Sequence, residues 1–521
     1  MLKLGSEIII ECLLEQDVST VFGYPGGSIL PVYEALSCYA DRIRHVLLTH
    51  EQHAAHAADG YARASGRVGV VLATSGPGAT NLLTGLSAAY IDSIPVVAIT
   101  CNVERGRIGT DGFQEADIFG ISMPVTKHNY LVRSGTELAS TLREAFCIAR
   151  SGRPGPVLID IPVDITQSKY VYIPEQPLKI QAVPLPAEKA QNQAVQLLKR
   201  AKKPLILAGG GVRDQKTVES LYALSSQLCA PIVQTLMGVS KVSGVGFVGQ
   251  YGEVAANELL QASDTVLAVG TRFSERSFPS PEVYQNKQII QIDIDAAEIN
   301  KNIMVNASLV GDAKDILPLL QKSLKQTKKP WAPLQAKKEK ASCALTPAYL
   351  LQTLTKTAAT GQIYTTEVGQ HQLWAAKYLN FEKNDMLLTS GGFGAMGYGL
   401  GAAIGAHYAT GKRIINIAGD GSFYMNLAEL STLAYYNLPI TIVLLNNASL
   451  GLVRELQEDA YQNPFAVDFA RQTDFIKLAE AFGIHAHRIE AEREVEKIFT
   501  AASHDAGPNL IECPLPQILS T

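Results

Sequence analysis

The sequence has no long apolar run, no paired-cysteine motif and no excess of charge of one sign. Apolar runs such as 68–73 and 94–100 are far shorter than the roughly 20 residues that cross a bilayer, and no secretory signal pattern follows Met1. The 45 basic and 49 acidic residues nearly balance, so no basic face for nucleic acid is indicated. The seven cysteines are scattered without a C-x-x-C spacing, which favours reduced thiols. We therefore expect a cytoplasmic protein that binds neither membranes nor nucleic acid.

Two catalytic motifs are also missing. His50, His53 and His56 invite a metal site. An H-E-x-x-H motif would need histidine at Ala54, however, and a spacing of three drifts around a helix. The turn 74–81 (TSGPGATN) follows an apolar strand, and its glycines let a ligand approach backbone N–H groups, but it lacks the lysine of a P-loop. The pattern predicts neither a histidine metal centre nor nucleotide hydrolysis.

What the sequence does have is a repeated alternation of short apolar strands with helix-like runs. Its 521 residues suggest about three or four domains, and strands that alternate with helices predict parallel sheets. The proline-rich residues 168–190 and a basic segment that starts at Lys322 are typical of linkers. We predict an α/β fold of three doubly wound parallel-sheet domains, at residues 1–167, 190–322 and 346–521. The strands are expected at 45–49, 68–73, 96–100, 157–160, 205–208, 265–269, 288–293, 413–418 and 440–445.

The motifs Gly419-Asp420-Gly421-Ser422 and Asn446-Asn447 organise the third domain. Each follows a predicted strand, and a helix-like run, 425–437, lies between them. Asp420 and Asn447 should therefore meet at the carboxyl edge of the sheet, where ligands bind in such folds. One carboxylate with one amide oxygen suits Mg²⁺ better than zinc. A plain βαβ unit with two turns is the alternative, and the spaced asparagine pair favours the metal site.

Residues 392–397 (GFGAMG) form a literal G-x-G-x-x-G, the fingerprint of dinucleotide-binding folds. Asp420 lies 23 residues beyond Gly397 at a predicted strand end, as that fingerprint requires. An NAD-type oxidoreductase is therefore one alternative. Against it, the strand before the glycines, 386–388, is weak, and the fingerprint leaves Asn446-Asn447 unexplained.

Together with Glu51, which follows an apolar strand and opens a helix, these motifs resemble those of the thiamine diphosphate enzymes. The resemblance is closer still to the large, catalytic subunits of acetolactate (acetohydroxyacid) synthases, and it extends over nearly the whole chain. The further segments that carry it are 22–27 (FGYPGG), 108–115 (IGTDGFQE), 126–129 (TKHN), 152–156 (GRPGP) and 368–372 (VGQHQ).

By this resemblance, the first domain binds the aminopyrimidine ring of thiamine diphosphate and the third binds its diphosphate. Glu51 would hydrogen-bond the ring and start proton removal from the cofactor, which supplies the carbanion chemistry. Asp420, the side chain of Asn447 and the backbone carbonyl of Ser449 would hold Mg²⁺. Met396 would keep the cofactor in a bent shape. The implied substrate contacts are Gly27, Phe113 and Gln114, and the other implied cofactor contacts are Pro77, Asn81, Gln370, His371, Gly394, Gly421 and Ser422.

Family members that bind FAD do so in the central domain, where the flavin is structural because the reaction has no net redox change. The segment 237–252 looks shorter than the usual flavin loop, and Gln250-Tyr251-Gly252 stands where Met-His-Gly is typical. FAD binding therefore stays open. The positions that match flavin contacts are Arg153, Gly209, Gly210, Gly211, Arg272, Arg276, Asp293 and Asp312.

The resemblance implies a decarboxylating carboligase that condenses pyruvate with a second 2-oxo acid, as in branched-chain amino acid biosynthesis. It also implies a homodimer or homotetramer with active sites shared between subunits, and a small regulatory subunit as a further partner. Three departures bear on the acceptor. Val163 replaces a lysine, Leu456 replaces a tryptophan that shapes the second-substrate pocket, and the C-terminal tail that covers the family's active site is lacking. A related carboligase or decarboxylase with another donor or acceptor is therefore the alternative.

Overall fold

The structure is a computed structural model that describes residues 1–277, 280–324, 330–333, 345–471 and 473–517. These residues form two compact units. The first comprises Met1–Gln181, Thr357–Gln372 and the segment that begins at Leu388, and the second comprises Ala182–Lys356 and Leu373–Leu387. Most of the predicted basic linker falls outside the described residues. Among the described residues, none of the helices is long and apolar enough to cross a membrane.

A six-stranded parallel sheet lies at the centre of the N-terminal part of the first unit. The strands of this region are β1 (Leu2–Leu4), β2 (Thr20–Gly23), β3 (Arg44–Leu47), β4 (Gly69–Ala73), β5 (Val96–Asn102), β6 (His128–Leu131), β7 (Val157–Pro162) and β8 (Lys169–Val171). The sheet order is β3-β2-β4-β5-β7-β6, and β1 pairs antiparallel with β8 outside it. The central strands β4, β5 and β7 are fully buried and mostly apolar, as a parallel sheet with both faces covered requires.

The helices of this region pack in two groups. They are α1 (Gly5–Glu15), α2 (Leu30–Ser37), α3 (Glu51–Ser65), α4 (Pro77–Asn81), α5 (Leu83–Ile91), α6 (Ile118–Ser122), α7 (Leu138–Arg150) and α8 (Val163–Gln167). α1 packs against α2, α7 and α8 through a core that includes Ile9, Val32 and Phe146. α3 packs against α5, β2 and β4 instead.

The second unit contains the central sheet, whose five strands are all parallel. The strands are β9 (Pro204–Ala208), β10 (Ile232–Gln234), β11 (Thr265–Val269), β12 (Gln288–Asp293) and β13 (Ala307–Val310). They run in the order β10-β9-β11-β12-β13 over a core that includes Ile206, Leu267 and Ile290. The helices of this region are α9 (Glu188–Arg200), α10 (Gln215–Leu228), α11 (Val254–Ala262), α12 (Ala313–Ser323) and α13 (Pro347–Thr357).

A second six-stranded sheet forms the C-terminal part of the chain. Its strands are β14 (Ile363–Thr366), β15 (Met386–Leu388), β16 (Ile414–Gly419), β17 (Ile440–Asn446), β18 (His485–Arg488) and β19 (Asn509–Pro514), in the order β15-β14-β16-β17-β19-β18. The helices are α14 (Gln370–Tyr378), α15 (Tyr398–Thr410), α16 (Asp420–Phe423), α17 (Leu430–Tyr436), α18 (Gly451–Tyr461), α19 (Phe475–Ala481) and α20 (Glu492–His504).

The two six-stranded sheets have the same topology. When strands are numbered within each sheet, both run in the order 2-1-3-4-6-5. Helices α3 and α15 follow equivalent strands, and they pack against each other. A Cβ at Gly405 would overlap the Ala57 carbonyl, and one at Gly60 would overlap the Ala402 carbonyl. Small residues therefore permit a close helix crossing that joins the two sheets within one unit.

The predicted fold class is confirmed, and each predicted strand is present within a few residues of its expected bounds. Two predictions are wrong. Residues 168–190 are not wholly a linker, because they contain β8, which pairs with β1, and the start of α9. The run 425–437 is not one helix. It forms a 3-10 turn, Leu427–Glu429, and then α17, and Asn426, which lies outside helical geometry at a φ of −130°, precedes both.

Candidate active site

The strands that precede the proposed metal ligands lie side by side. β16 and β17 pair with Gly419 opposite Leu445, so both end at the same edge of the sheet. Asp420 follows β16 directly, and its carboxylate accepts the backbone N–H groups of Asn447 and Ala448. Burial raises the pKa of Asp420 to about 7, although these N–H groups oppose the rise. A carboxylate buried in this way suits the role of a cation ligand.

Asn447 is held by a chain of side-chain hydrogen bonds. Its Nδ2 donates to Gln370 Oε1 at 2.9 Å, and Gln370 Nε2 donates to Glu455 Oε1 at 2.8 Å. Because the amide nitrogen is engaged, the amide oxygen of Asn447 is the atom left for a metal. The next residue, Ala448, has a φ of +53°, a strained value for a residue with a Cβ. Such strain is typical of ligand-binding loops.

Two buried polar atoms near this edge, Ser449 Oγ and His371 Nε2, have no hydrogen-bond partner among the described residues. An unpaired buried polar atom costs about 1–3 kcal/mol, so such atoms indicate a place for a ligand. Burial lowers the pKa of His371 to about 3, so its ring is neutral. Gly394 has a φ of +69°, and a Cβ there would meet only Val368, at 4.0 Å. Met396, in the same loop, is half-buried. These features fit a polar ligand.

Glu51 is the first residue of α3, and it is buried. Asn81 Nδ2 donates to Glu51 Oε2 at 2.9 Å. The other oxygen, Oε1, lies beside Gly78, where a Cβ would come within 3.1 Å of it. His50 Nδ1 caps the same helix by accepting the Gln52 N–H. Glu51 is therefore a fixed carboxylate at a strand-to-helix junction.

An acid from the C-terminal part of the chain fixes the start of α3. Glu429 Oε1 accepts the Thr49 N–H at 3.0 Å, the Thr49 hydroxyl at 2.6 Å and His53 Nδ1 at 2.9 Å. Burial raises the pKa of Glu429, but the His53 and threonine contacts outweigh it and lower the net value. His56 packs edge-on against Tyr398. The histidines thus have separate structural roles. In the part of the chain that the structure describes, no three histidine, cysteine or acidic side chains form a metal-binding group.

The proposed substrate contacts differ in exposure. Gly27 begins a 3-10 turn, and a Cβ there would have no atom within 4 Å. Gln114 has a φ of +57°, and its carbonyl oxygen would lie 2.7 Å from a Cβ at Gly76. Phe113 is 87% exposed. Within one chain, the structure therefore brings Gln114 to the glycine turn before Pro77 and leaves Gly27 and Phe113 open.

A cavity of about 560 Å³ adjoins the loop after β17. Asn446 and Asn447 line it on one side, and Arg488 and Glu512 also contribute to its wall. Arg488 Nε donates to Glu512 Oε2 at 2.9 Å, and Asn446 Nδ2 donates to Glu512 Oε1 at 2.8 Å. The arginine and glutamate are thus paired with each other, and Asp420 is not among the residues that line the cavity. The cavity borders the Asp420 site rather than containing it.

Similarity to known proteins identifies the family. Models of thiamine pyrophosphate enzymes match the chain in three segments: the N-terminal TPP binding domain at 3–121, the central domain at 191–320 and the C-terminal TPP binding domain at 367–513. The acetolactate synthase isozyme 2 large subunit of Escherichia coli (strain K12) is 41% identical over 528 residues, which cover 99% of this chain and 96% of that protein. The chain belongs to the acetolactate synthase family.

Other acetolactate synthases are similarly related. The large subunit from Corynebacterium glutamicum is 42% identical over 521 residues, with 94% of this chain and 83% of that protein covered. The large subunit from Buchnera aphidicola subsp. Schizaphis graminum is 38% identical over 534 residues, with 97% and 93% covered. The predicted membership of the thiamine diphosphate enzymes, and of their acetolactate synthase branch, is confirmed.

In this acetolactate synthase family member, residues 392–397 do not form a dinucleotide site. The loop leads from β15 to α15, but β14 lies between β15 and β16, so Asp420 is not on the strand next to the loop. Glu367 Oε1 accepts the Leu400 N–H at 3.0 Å, in the first turn of α15. A carboxylate therefore occupies the helix N-terminus where a pyrophosphate would bind. The structure disfavours the NAD-type alternative.

Glu367 and Asn426 are buried residues of this edge that the sequence analysis missed. The Glu367 carboxylate accepts Asn426 Nδ2 at 2.6 Å and the Ser422 hydroxyl at 2.9 Å. Ser422 Oγ in turn accepts the Gly397 N–H at 3.1 Å. An acid directly after a buried strand, as in Thr365-Thr366-Glu367, was the signal that could have identified Glu367. Asn426 carried no comparable signal, because it lies within a helix-like run.

Neighbouring loops pack against Gly209, Gly210 and Gly211 in the region of the central sheet. The Gly209 N–H donates to the Val269 carbonyl at 2.9 Å, and the Gly211 N–H donates to the Gly270 carbonyl at 3.0 Å. A Cβ at Gly211 would lie 2.7 Å from the Gly270 Cα. A Cβ added at Gly210 would lie 3.0 Å from the Met237 Cβ. Two of the three N–H groups are therefore not available to a flavin phosphate.

The other positions that match flavin contacts lie in both units. Arg153 Nε donates to the Ser93 hydroxyl at 2.8 Å in the N-terminal region. Asp312 caps α12 by accepting the Lys314 N–H at 3.0 Å. The remaining matched side chains are Asp293, which is buried, Arg272, which is half-buried, and Arg276, which is exposed.

Proposed function

We propose that this protein is a thiamine diphosphate- and Mg²⁺-dependent carboligase that decarboxylates pyruvate and joins the remaining two-carbon unit to a second 2-oxo acid. Its relatives are named acetolactate synthases, and their name supports this reaction. The observation that carries the proposal is the buried Asp420 carboxylate, which lies at a strand end against the backbone of Asn447. When bound, thiamine diphosphate supplies the carbanion chemistry of the decarboxylation.

Glu51 is the proposed proton-handling group. Asn81 holds its Oε2, so Oε1, beside Gly78, is the oxygen offered to the aminopyrimidine ring. A carboxylate oxygen in this position can accept a proton from that ring. Gln114, whose backbone reaches the glycine turn, and Gly27, which faces open space, are the proposed contacts on the substrate side.

Asp420, the amide oxygen of Asn447 and the carbonyl of Ser449 are the proposed Mg²⁺ ligands. Hard oxygen ligands suit Mg²⁺, which usually shares its coordination sphere with substrate phosphates. Gln370 fixes the Asn447 amide, and the neutral His371 ring has its Nε2 available to a phosphate oxygen. A bound cation would compensate the buried Asp420 charge and lower its pKa. The further proposed cofactor contacts in this half are Gly394, Met396, Gly421 and Ser422.

Product analysis tests the function directly. Purified protein is incubated with thiamine diphosphate, Mg²⁺ and pyruvate, and CO₂ and acetolactate are measured. Both products are expected. CO₂ without acetolactate would favour a decarboxylase or another acceptor, and the absence of both would reject pyruvate as the donor. Chelation of Mg²⁺ should abolish both products, and added Mg²⁺ should restore them.

A second candidate function differs from the first in the acceptor, which is the second 2-oxo acid of the reaction. Leu456 on α18 stands where the family has tryptophan, and its side chain is 45% exposed. A leucine removes a large flat surface, so we propose a wider second-substrate pocket, with discrimination changed by at most about 1–3 kcal/mol. Competition between pyruvate, 2-oxobutyrate and bulkier 2-oxo acids as acceptors measures that change. Leu456→Trp should shift the product ratio toward 2-oxobutyrate if the proposal holds.

Of the proposed cofactors, FAD has the least support from the structure. Loop packing accounts for the run from Gly209 to Gly211, so flavin binding would depend on the matched arginines and acids. The visible absorbance spectrum of the purified protein decides the point. A flavin spectrum would support FAD as a structural cofactor, and a colourless protein that forms acetolactate would show that the reaction proceeds without it.

Oligomerisation is proposed from the family resemblance, with Glu51 and Asp420 of one active site contributed by two chains. Co-expression of Glu51→Gln and Asp420→Asn variants tests this arrangement. In a mixed dimer with shared sites, one site carries both substitutions and the other carries none, so activity returns. If each chain holds a complete site, every site is defective and the mixture stays inactive. Co-purification would identify a small regulatory subunit.

A further inference from the structure

Glu367 is a fully buried acid that the proposed mechanism does not use. It follows β14, and its carboxylate contacts segments that follow two other strands of the same sheet. The Leu400 N–H, in α15 after β15, donates to Oε1 at 3.0 Å. Asn426 Nδ2 and the Ser422 hydroxyl, both after β16, donate at 2.6 and 2.9 Å. One side chain therefore joins three strand-end segments.

Ser422 extends these contacts to the glycine loop, residues 392–397. Its Oγ donates to Glu367 Oε2 and accepts the Gly397 N–H at 3.1 Å. Ser422 is two residues from Asp420, and Gly397 closes the loop that contains Met396. The turn that carries the proposed metal ligand and the loop that carries the proposed cofactor contacts Gly394 and Met396 are thus tied to a single carboxylate.

The packing leaves this carboxylate little freedom. A Cβ at Gly399 would lie 2.8 Å from Glu367 Oε1, so α15 approaches the acid directly. Burial raises the pKa of Glu367, although Asn426, Ser422 and the helix N–H groups oppose the rise. Hydrogen bonds to a carboxylate are about twice as strong as those between neutral groups, and supporting groups around a metal site tune its affinity.

We propose that Glu367 is a positioning residue for the cofactor: it sets the Asp420 turn and the glycine loop in the arrangement that binds Mg²⁺ and diphosphate. This inference rests on the proposed function. Glu367→Gln keeps the side-chain volume but places an NH₂ group where Oε2 accepts the Ser422 hydroxyl. Ser422 Oγ then meets donors from both Gly397 and the new amide, so the hydroxyl loses its acceptor.

The test compares Glu367→Gln with Asp160→Asn. Asp160 is a matched buried acid in β7 that accepts Thr100 Oγ1 and Asn102 Nδ2, both at 2.7 Å. Equilibrium dialysis measures the Kd of thiamine diphosphate at a series of Mg²⁺ concentrations, and thermal unfolding measures stability. Glu367→Gln should raise the Kd by about tenfold or more, equal to about 1.4 kcal/mol. Asp160→Asn should lower the unfolding midpoint and leave the Kd unchanged.

Three outcomes would overturn the proposal. The first is a Kd for Glu367→Gln within about twofold of the wild-type value, which is below the loss of one hydrogen bond to a charged group. The second is an equal rise in Asp160→Asn, which would show a general effect of lost stability. If Glu367→Gln does not fold, Asn426→Ala replaces it and should raise the Kd by about threefold; an unchanged Kd there is the third. Wild-type protein that binds no thiamine diphosphate with Mg²⁺ would reject the proposed function itself.

Discussion

The two six-stranded sheets share one topology but present different chemistry at their carboxyl edges. In the N-terminal sheet, hydroxyl groups surround the loop after the third strand: Thr74 Oγ1 accepts the Ser28 N–H at 3.2 Å, and the Ser28 and Ser75 hydroxyls bond at 2.9 Å. In the C-terminal sheet, the equivalent loop contains Asp420 and Ser422. A loop of neutral hydroxyls suits an aromatic ring, and a loop with a buried acid suits a metal with its phosphates.

The equivalent helices α3 and α15 also differ in how the acid at the first turn of each helix is hydrogen-bonded. Glu51 is the first residue of α3, and one of its oxygens is held by Asn81. At α15 the acid is Glu367, which comes from β14 and accepts the helix N–H together with Ser422 and Asn426. An acid with an available oxygen can transfer a proton, whereas an acid whose oxygens are both engaged can only hold structure. The topology is common to both sheets, and the function depends on how each carboxylate is satisfied.

The comparison predicts that Glu51→Gln removes chemistry without removing cofactor binding. Turnover of pyruvate should fall by about 10²–10³-fold, because proton transfer by a positioned side chain contributes on that order. The Kd of thiamine diphosphate and the unfolding midpoint should stay near the wild-type values. Glu7→Gln, another first-turn glutamate that accepts the Leu4 N–H, is the control. Turnover above about a tenth of wild type would contradict the role of Glu51.

At the carboxyl edge of the C-terminal sheet, a substitution should weaken Mg²⁺ binding rather than slow the chemical step. Asn447→Ala should raise the Mg²⁺ concentration needed for half-maximal activity by about 10–100-fold, the usual range for groups around a metal site. At saturating Mg²⁺, most of the turnover should return. Asn509→Ala is the matched control, because Asn509 is a buried asparagine at the amino end of β19, bonded to the Ala502 carbonyl. An unchanged Mg²⁺ requirement in Asn447→Ala would reject the metal site.

The sequence was sufficient to predict those features of the two sheet edges that depend on residues close together in the chain. Asp420 and Asn447 could be placed at one sheet edge because each follows a strand that is a plain apolar run. Strands at the sheet edge such as β18, with sequence HAHR, were missed because half-exposed polar residues carry no apolar pattern. Their pairing with a neighbouring strand, and not their own sequence, makes them strands.

The partners of the supporting acids could not be predicted because they are distant in sequence. Glu429 bonds Thr49 across 380 residues, and Glu367 bonds Ser422 across 55. Glu429 lies in a helix-like run, where an acid is most often a solvated surface residue, and only the folded chain shows that it is buried and hydrogen-bonded. The sequence therefore indicates the proposed ligand contacts more readily than the groups that hold them in place.

Asn81→Ala tests whether Asn81 holds the Glu51 carboxylate in its working position. Asn81 Nδ2 holds Glu51 Oε2 at 2.9 Å, so its loss should let the carboxylate rotate and lower turnover by about tenfold. The Kd of thiamine diphosphate should change less than turnover does. Asn81→Asp keeps the size but replaces the hydrogen-bond donor with a second carboxylate that repels Glu51, so turnover should fall at least as far as in Asn81→Ala. Turnover of Asn81→Asp near the wild-type value would contradict contact between these two side chains in the active enzyme.

The smallest predicted effect concerns the helix crossing that joins the two sheets. His56 on α3 is fully buried against Tyr398, and neither ring nitrogen has a partner among the described residues. Burial, with the nearby His53 and Arg63, lowers the pKa of His56 from 6.5 to about 3.

Because the folded chain resists protonation of this ring, the stability that the neutral ring contributes is complete above pH 6.5 and is lost as the pH falls toward 3. His56→Phe has no proton to bind, so its free energy of unfolding relative to wild type should rise by about 1.4 kcal/mol at one pH unit below 6.5. Denaturant unfolding of both proteins across that range measures it, with the exposed His487→Gln as control. A parallel acid dependence in wild type and His56→Phe would show that His56 is protonated, and hence more open, within the folded chain.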